Sequence, residues 1–519
     1  MLSTMKTVVH YRRVPSFHWI IIVFLVGMNA FLMLGDHSVI EAKRRSMDDL
    51  IFPKDFRFGV ATAAYQIEGA YNEDGRGMSI WDIWSHIPGK IYMNQTGDVA
   101  DDHYHKVKED VELMKYLGVK NYRMSISWSR LIPTGLIKDG INQKGIDHYD
   151  KEINTLVNAG INVAVTLYHW DLPQHLQDLY GGWLNSKDVV EAFKDYADLC
   201  FAKFGDRVKD WITFNEPFVT SVLGYGNEGL APGSSNSSTA PYLATHSQLL
   251  SHAVAVKVYR DKYQKHQNGR IGIALNSNFF YPLTNTQADY DACERALQFG
   301  FGWFADPVFF GDYPQVMKDF VEGGRLPQFT PEQKKLLKGS VDFIGLNHYT
   351  SNYIGNRDTP LPPVYQRTFN DDQRTIGSSY KNGVPIGPMA DSDWLYVYAP
   401  GIRSILNWIQ HRYQPKMIYV TENGVDVPNE SEMPIPQALN DTFRQNYIHD
   451  YLAEVSKAVM QDGVNVKAYY VWSLMDNFEW ANGYRCRFGI VYVDYKSPNL
   501  DRHIKNSAKY YSQIIRPYN

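Results

Sequence analysis

Short apolar runs alternate with longer amphipathic stretches along most of the chain from residue 55 onward. Several of the runs have almost no polar interruption, which is typical of parallel strands buried on both faces. The stretches between them have helical spacing, and two of them end at Gly118 and Gly160, where glycine favours a helix C-terminus. Eight strands are predicted: Phe56–Ala63, Asn121–Trp128, Asn162–Tyr168, Trp211–Phe214, Arg270–Asn276, Val341–Asn347, Met417–Thr421 and Val466–Trp472. The helices predicted between the earlier strands are Val107–Leu117, Gly145–Asn158, Val189–Phe204 and Tyr242–Tyr263.

This alternation predicts the fold class. Strands that alternate with helices form a parallel sheet, and eight such units close into a barrel. We therefore expect an α/β chain with a (β/α)8 TIM barrel and loop insertions, the largest at Arg357–Trp394, which is rich in Pro, Asp and Gly. No linker divides this part of the chain, so residues 47–519 are predicted to form a single domain.

The amino-terminal segment has a different pattern. Lys6, Arg12 and Arg13 precede residues 19–34, in which only Asn29 is polar. This apolar run is longer than the usual core of a signal peptide and shorter than the roughly 20 residues of a membrane-spanning helix. Positive charge on its amino side favours export of the chain that follows. We expect residues 1–46 to be a signal sequence or membrane anchor plus a short spacer.

Export implies the secretory pathway, with the protein secreted, in a vacuole or lysosome, or in the ER lumen. Membrane attachment is expected only if residues 19–34 stay uncleaved. Asn-x-Ser/Thr sequons, which are glycosylated in this pathway, fit the same expectation. They occur at Asn94, Asn236, Asn429 and Asn440.

Composition and charge exclude several classes of protein. The chain has 519 residues, of which 44% are hydrophobic and 21% charged, as in ordinary globular proteins. A net charge of −4 gives no basic surface for nucleic acid, so no nucleic-acid partner is expected. Cys200, Cys293 and Cys486 are too few for a disulfide framework. The segment Asp101–His105 is predicted to lie in a loop away from the strand ends, and no metal or cofactor is expected. The oligomeric state is left open.

The predicted carboxyl ends of the strands carry polar and aromatic side chains, and in a barrel these ends form the active site. Two of them present glutamates, Glu216 and Glu422. The residues Asn215-Glu216-Pro217 are also typical of a turn, so Glu216 alone does not indicate an active site. Two carboxylates that share a pocket with amides and indoles are, however, typical of glycoside hydrolysis. The sequence lacks a Gly-x-Ser-x-Gly elbow and a phosphate-binding Gly-Lys-Ser/Thr loop.

The motifs around these glutamates resemble a known family. Thr213–Pro217 (TFNEP) and Tyr419–Gly424 (YVTENG) are similar to the two signature motifs of glycoside hydrolase family 1, the β-glucosidase family. Further segments resemble other motifs of the family: Phe56–Gly69, Tyr122–Arg130, Tyr168–Pro173 and Trp472–Trp480. The resemblance extends from about Phe52 to the carboxyl terminus. It implies a retaining β-glucosidase without a cofactor, acting on terminal β-D-glucosides of small molecules or oligosaccharides.

The resemblance also implies roles for individual residues. Glu216 matches the acid/base and Glu422 the nucleophile, with their carboxyl groups about 5–5.5 Å apart as in retaining enzymes. Arg123 and Tyr349 match the groups that hydrogen-bond the nucleophile. The glucose-binding residues implied are Gln66, His169, Asn215, Asn347, Tyr349, Trp472, Glu479, Trp480 and Phe488. The pocket for the leaving group is implied at Leu223, Leu230, Trp394 and Ala481.

Three positions refine this reading. Glu479 would repel a 6-phosphate, so an unphosphorylated glucoside is expected. Thioglucosidases of the family have glutamine where this chain has Glu216, which argues against a thioglucosidase. His348 replaces an aromatic residue that the family usually has. Two alternatives stay open: a transglucosidase that uses the same intermediate, and a non-catalytic glycoside-binding relative. The second would usually lack one of the two glutamates.

Overall fold

The structure is a computed structural model that describes residues 47–518. The predicted leader, including residues 19–34, lies outside the described residues. Within residues 47–518, none of the helices has the length and apolar character needed to cross a membrane. Residues Asp49–Asn519 form one compact unit.

Eight parallel strands close into a barrel, as the sequence predicts. Each strand pairs with its neighbours in chain order, and the first pairs with the last, as in the register Arg57–Ala468. The strands are β1 Arg57–Ala61, β2 Asn121–Ser125, β3 Asn162–Tyr168, β4 Asp210–Asn215, β5 Arg270–Asn276, β6 Phe343–Asn347, β7 Ile418–Asn423 and β8 Val466–Trp472. The fold is a (β/α)8 TIM barrel.

One long helix follows each strand and packs on the outside of the barrel. The helices are α1 His103–Leu117, α2 Gln143–Asn158, α3 Asp188–Phe204, α4 Ala240–Val258, α5 Gln287–Leu297, α6 Pro400–Tyr413, α7 Thr442–Met460 and α8 Asn506–Ile515. Gly118 ends α1 with a φ of 78°, a left-handed conformation that glycine adopts without strain. The helix predicted to end at Tyr263 is α4 continued by one π-helical turn, Tyr259–Tyr263.

The connections contain shorter elements. Further α-helices are Ala64–Ile67, Ile80–Ser85, Trp128–Leu131, Gln174–Tyr180, Pro217–Val219, Gln264–Gln267, Trp303–Phe310, Gln315–Phe320, Pro331–Leu337, Phe369–Gln373 and Ile435–Ala438, and two π-helical turns are Thr220–Gly224 and Gln298–Gly302. The 3-10 turns are Met47–Asp49, Tyr92–Asn94, Ile137–Asp139, Gly182–Leu184, Val364–Gln366, Glu430–Glu432, Trp480–Asn482 and Arg516–Tyr518. The outer strands are Phe279–Pro282, Ser351–Asn356, Thr375–Ser378, Tyr380–Lys381, Val384–Pro385, Val491–Val493 and Arg502–Ile504.

Two helices, Trp128–Leu131 and α1, differ from the sequence prediction. The strand predicted at Asn121–Trp128 ends at Ser125, and Trp128 begins a short helix. His103–His105 lie in the first turn of α1 and not in a loop. Both ring nitrogens of His103 contact carboxylates, Asp110 at 2.7 Å and Glu152 at 3.1 Å, so this ring joins two helices.

Strands β4 and β7 are irregular where they reach the barrel mouth. The pairing of β4 with β5 shifts register between Ile212 and Asn215, and the pairing of β7 with β6 shifts between Val420 and Glu422. Such irregularities change the direction in which a side chain points. They occur in the two strands whose ends present the glutamates, and they turn these side chains into the mouth.

Candidate active site

A cavity of about 370 Å³ lies at the carboxyl ends of the barrel strands and contains both Glu216 and Glu422. The two residues are only 8% and 3% exposed. Their position agrees with the rule that active sites of this fold lie at the carboxyl ends of its strands. The barrel therefore brings the two strand-end glutamates into one pocket, as the sequence predicts.

Glu422, in β7, accepts a hydrogen bond on each carboxylate oxygen. Arg123 Nη1 donates to Oε1 at 2.6 Å, and the Tyr349 hydroxyl donates to Oε2 at 2.7 Å. Burial, with the charge of Glu422 second, raises the pKa of Tyr349 well above its usual value, so the phenol keeps its proton. A cation and a hydroxyl donor both stabilise the ionised carboxylate.

Arg123 is fully buried beneath the pocket and also fixes its neighbour, Asn215. Arg123 Nη2 donates to Asn215 Oδ1 at 2.7 Å, which leaves the Asn215 Nδ2 group to donate to His169 Nε2 at 3.0 Å. The ring proton of His169 then resides on Nδ1, which has no partner among the described residues. Burial, aided by the charge of Arg123, holds the pKa of His169 well below its usual value. His169 therefore lines the cavity as a neutral ring with an N–H donor that is unpartnered within residues 47–518.

Glu216 follows β4 in a left-handed conformation, with φ 44° and ψ 59°. This conformation is strained for a residue with a side chain, and such strain concentrates at functional sites. The Glu216 N–H donates to Ala274 O in β5 at 2.9 Å, and Pro217 begins the helix that follows. The sharp turn between strand and helix holds the glutamate at the pocket floor.

The surroundings of Glu216 favour its protonated form. Burial raises its pKa well above the usual range, and the nearby charge of Glu422 raises it further. Burial is the larger of these two causes, and the neighbouring carboxylate is the smaller. Asn347 Nδ2 opposes both effects by donating to Glu216 Oε1 at 2.7 Å. The amide is oriented by Thr421, whose hydroxyl donates to Asn347 Oδ1 at 2.6 Å.

One wall of the pocket is aromatic and carries a further carboxylate. Trp472, Trp480, Phe488 and Glu479, which belong to the implied glucose-binding set, line it. Gln66 lies behind this wall, where its Nε2 contacts Glu479 Oε2 at 3.4 Å. Burial, then the charges of Asp426, Glu422 and Glu216, raise the pKa of Glu479. Gln66 and Arg123 do not line the cavity themselves and affect it through the lining residues that they contact.

The outer part of the pocket is more apolar. All four positions predicted there, Leu223, Leu230, Trp394 and Ala481, line the cavity. Trp394 is 45% exposed and meets the Tyr349 ring edge-on at 5.8 Å. The cavity is also lined by Trp170, Phe218, Val219, Asn276, Ser277, Asn278 and Asn482. Trp170 and Asn276 lie at the ends of predicted strands. The others lie in the short helices, turns and loops that follow the strands, where the sequence has no periodic pattern.

His348, the departure from the family pattern, does not line the cavity. Its side chain is fully buried, and its Nδ1 contacts Ser277 O at 2.8 Å. This contact joins the segments that follow β5 and β6. The substitution therefore affects packing behind the pocket and not the pocket surface.

Comparisons with known proteins agree on one family. The model of glycosyl hydrolase family 1 matches residues 49–519. Beta-glucosidase 12 of Oryza sativa subsp. indica is 46% identical, over 95% of this chain and 96% of that protein. Beta-glucosidase 17 of Arabidopsis thaliana is 44% identical, over 97% of this chain and 98% of that protein. A rice β-glucosidase mutant solved in a covalent complex with Glc is 46% identical, with a TM-score of 0.87 over 89% of this chain and 98% of that one.

Removal of the Asn347 amide is expected to change the pH dependence of the reaction. Its hydrogen bond stabilises ionised Glu216, so Asn347→Ala should raise the pKa of Glu216 further. Activity that requires protonated Glu216 then persists to higher pH, and the alkaline limb of kcat/KM moves upward. The lost contact should also lower kcat/KM roughly 10- to 150-fold.

The measurement is the pH profile of kcat/KM for an aryl β-D-glucoside. Asn407→Ala is the control, because this amide on α6 bonds Asp462 at the protein surface. The control should reproduce the wild-type profile. An alkaline limb that stays in place or moves to lower pH in Asn347→Ala would contradict the assigned contact.

Proposed function

The chain belongs to glycosyl hydrolase family 1, and on this premise we propose how the residues of its pocket perform the reaction. The protein is a retaining β-glucosidase that hydrolyses terminal β-D-glucosides through a covalent glycosyl-enzyme intermediate. The contrast between the two glutamates carries the assignment of roles. Glu422 contacts a guanidinium and a phenol, whereas Glu216 is buried and its oxygen contacts a neutral amide. Neither transglucosidase activity nor a non-catalytic role is favoured by the relatives.

In the first step, ionised Glu422 attacks the anomeric carbon of the glucoside. The bond from this carbon to the leaving oxygen breaks, and Glu216 gives its proton to that oxygen. The products are a glucosyl ester of Glu422, a free alcohol and ionised Glu216. Arg123 and Tyr349 keep Glu422 ionised and correctly oriented before the attack.

In the second step, Glu216 acts as a base. The charge of Glu422 is absent while the ester exists, so the pKa of Glu216 falls and its ionised form is favoured. Glu216 takes a proton from water as the water oxygen attacks the anomeric carbon, and the ester bond breaks. Glucose leaves with its original anomeric configuration, Glu422 is ionised again and Glu216 is protonated again.

We assign the remaining pocket residues to the sugar. Asn215, held by Arg123, is placed to contact the 2-hydroxyl, a bond that strengthens as charge develops in the transition state. His169 Nδ1 supplies a donor, Glu479 an acceptor for hydroxyls, and the Trp472 ring a stacking face. A glucoside without a 6-phosphate fits this acceptor, because an ionised phosphate has no hydroxyl to donate to Glu479.

The leader and the sequons support a location in the secretory pathway, with residues 47–519 as the catalytic domain. All four sequon asparagines, at positions 94, 236, 429 and 440, have exposed side chains, as an attached glycan requires. This location accounts for the apolar segment at residues 19–34, which the catalytic barrel does not need.

Glu422→Gln should abolish turnover, because a neutral amide cannot form the glycosyl ester. The reaction of wild type and variant with an aryl β-D-glucoside is followed by NMR, which resolves the anomer formed first. The wild type should release β-glucose first. Release of the α anomer, or full activity of Glu422→Gln, is incompatible with the proposed double displacement.

Glu216→Ala should lose activity in proportion to the need for a proton on the leaving oxygen. Poor leaving groups should react roughly 10²–10⁴-fold more slowly, the usual contribution of a general acid. Activated aryl leaving groups should depart at a nearly normal rate, and azide should accelerate the second step by replacing water. Equal losses for good and poor leaving groups would rule out the acid role of Glu216.

Fractionation of cells that express the full chain tests the proposed location. The chain should reach the secretory pathway, and a glycosidase that removes N-linked glycans should increase its mobility in gels. Recovery in the carbonate-washed membrane pellet would identify residues 19–34 as an anchor, and recovery in the soluble fraction would indicate cleavage. An unglycosylated chain in the cytosol would refute the assignment.

A further inference from the structure

Asp391, Asp426 and Cys486 form a cluster beside the active-site cavity. Each offers one oxygen or sulfur atom, and these atoms all lie within 4.8 Å of one another. Asp391 lies in the loop that carries Trp394, and Asp426 follows β7. Cys486 lies in the loop between Trp480 and Phe488. Two of these loops line the pocket, through Trp394 and through Trp480 and Phe488. The cluster joins them to the loop that follows β7, and the glycosidase reaction uses none of its members.

The two carboxylates are held in place by their second oxygens. Asp426 Oδ2 accepts hydrogen bonds from the N–H and the hydroxyl of Ser392, both at 2.7 Å. Asp391 Oδ1 accepts the Asn429 N–H at 2.9 Å. Groups that orient a ligand in this way are typical of built metal sites. Each carboxylate thus has one anchored oxygen and one oxygen for a further partner.

The remaining atoms are poorly satisfied without such a partner. Asp426 is 0% exposed, and its Oδ1 accepts no hydrogen bond from any described residue. Cys486 is 1% exposed, and its thiol makes only a weak S–H hydrogen bond to Asp391 Oδ2, at 3.6 Å. A buried carboxylate oxygen without a partner is unfavourable unless a cation or donor approaches it.

The spacing suits a tetrahedral ion. Zinc binds thiolate at about 2.3 Å and carboxylate oxygen at about 2.0–2.2 Å, which places neighbouring ligand atoms roughly 3.3–3.8 Å apart. The distance of 3.6 Å between Cys486 Sγ and Asp391 Oδ2 already lies in this range. The other pairs, within 4.8 Å, need shifts of about 1 Å. A thiolate favours zinc over the hard cations calcium and magnesium.

We propose that Asp391, Asp426 and Cys486 bind a zinc ion. On binding, the Cys486 thiol releases its proton to solvent, and the thiolate and one oxygen of each aspartate coordinate the metal, with water as the fourth ligand. Asp391, the member with intermediate exposure, faces the entry path. The neighbouring Arg485 guanidinium donates to Asn482 Oδ1 at 3.2 Å and lies over the Tyr92 ring, and its charge also acts on Cys486 and Asp391. Zinc binding therefore replaces the contact between Arg485 and the Cys486 side chain.

Zinc at this site would tie these three loops together. The bound ion stabilises the folded chain, because the three ligands are brought together only in that state. The expected consequence is a higher Tm in zinc and a more rigid wall around Trp394. Rigidity at Trp394 should alter KM for substrates with large leaving groups more than KM for small ones.

The test uses the purified full chain without a histidine tag, stripped of metal by a chelator. Equilibrium dialysis against zinc, with metal quantified by mass spectrometry, should give one tightly bound ion per chain. Zinc should raise Tm, and cobalt in place of zinc should give the absorption band of a thiolate–cobalt bond. Cys486→Ser should remove the band, and both Cys486→Ser and Asp426→Asn should weaken zinc binding at least about 10-fold.

Cys293→Ser is the matched control, since Cys293 is a buried cysteine outside the cluster, and its thiol donates to Ile354 O at 3.9 Å. It should keep both the zinc stoichiometry and the cobalt band. Wild-type protein that is active but binds no stoichiometric zinc would overturn the proposal. So would zinc binding that is equally tight in Cys486→Ser and Asp426→Asn, because the metal would then lie elsewhere, for example at surface histidines.

Discussion

The fully buried guanidinium of Arg123 is the interaction on which the pocket depends. Removal of a charged group from water costs several kcal/mol unless its donors are fully engaged. Arg123 meets this requirement through Glu422, Asn215 and Thr166, which lie on three different strands. The same contacts that make the buried cation tolerable also fix the nucleophile and the amide beside the acid/base. The geometry of the site therefore depends on this one side chain.

The two glutamates differ because of their neighbours and not because of their chemistry. Glu422 has a cation and a phenol on its two oxygens, which favour its ionised form. Glu216 has the Asn347 amide, while burial and the charge of Glu422 favour its protonated form. Two identical carboxyl groups thus become a base-like nucleophile and an acid. During the reaction, loss of one charge reverses the preference of the other group.

The sequence was most informative where physical constraints are local. β3, β5 and β8 begin and end at the predicted residues, because a strand buried on both faces is a continuous apolar run. The candidate residues at the strand ends were found for the same reason, since topology brings those ends together. The hydrogen bond from Asn347 to Glu216 could not be predicted, because it joins residues that are distant in the sequence and depends on the side-chain rotamers. The pocket residues Phe218 and Asn278 likewise follow no periodic pattern.

Backbone strain around the pocket has a common pattern. Three pocket residues with side chains have left-handed φ values: Trp170 at 76°, Glu216 at 44° and Trp480 at 51°. Each such conformation costs on the order of 1–3 kcal/mol, which a flexible loop could relieve by changing shape. In this protein, each of the three residues lies just after a strand end or in a buried loop, and the closed barrel fixes the position of that segment. Trp170 and Trp480 also pack against each other, with ring centroids 4.5 Å apart. Because the closed barrel keeps these segments from changing shape, the strained backbone conformations are maintained. The side chains therefore point into the pocket before any substrate binds.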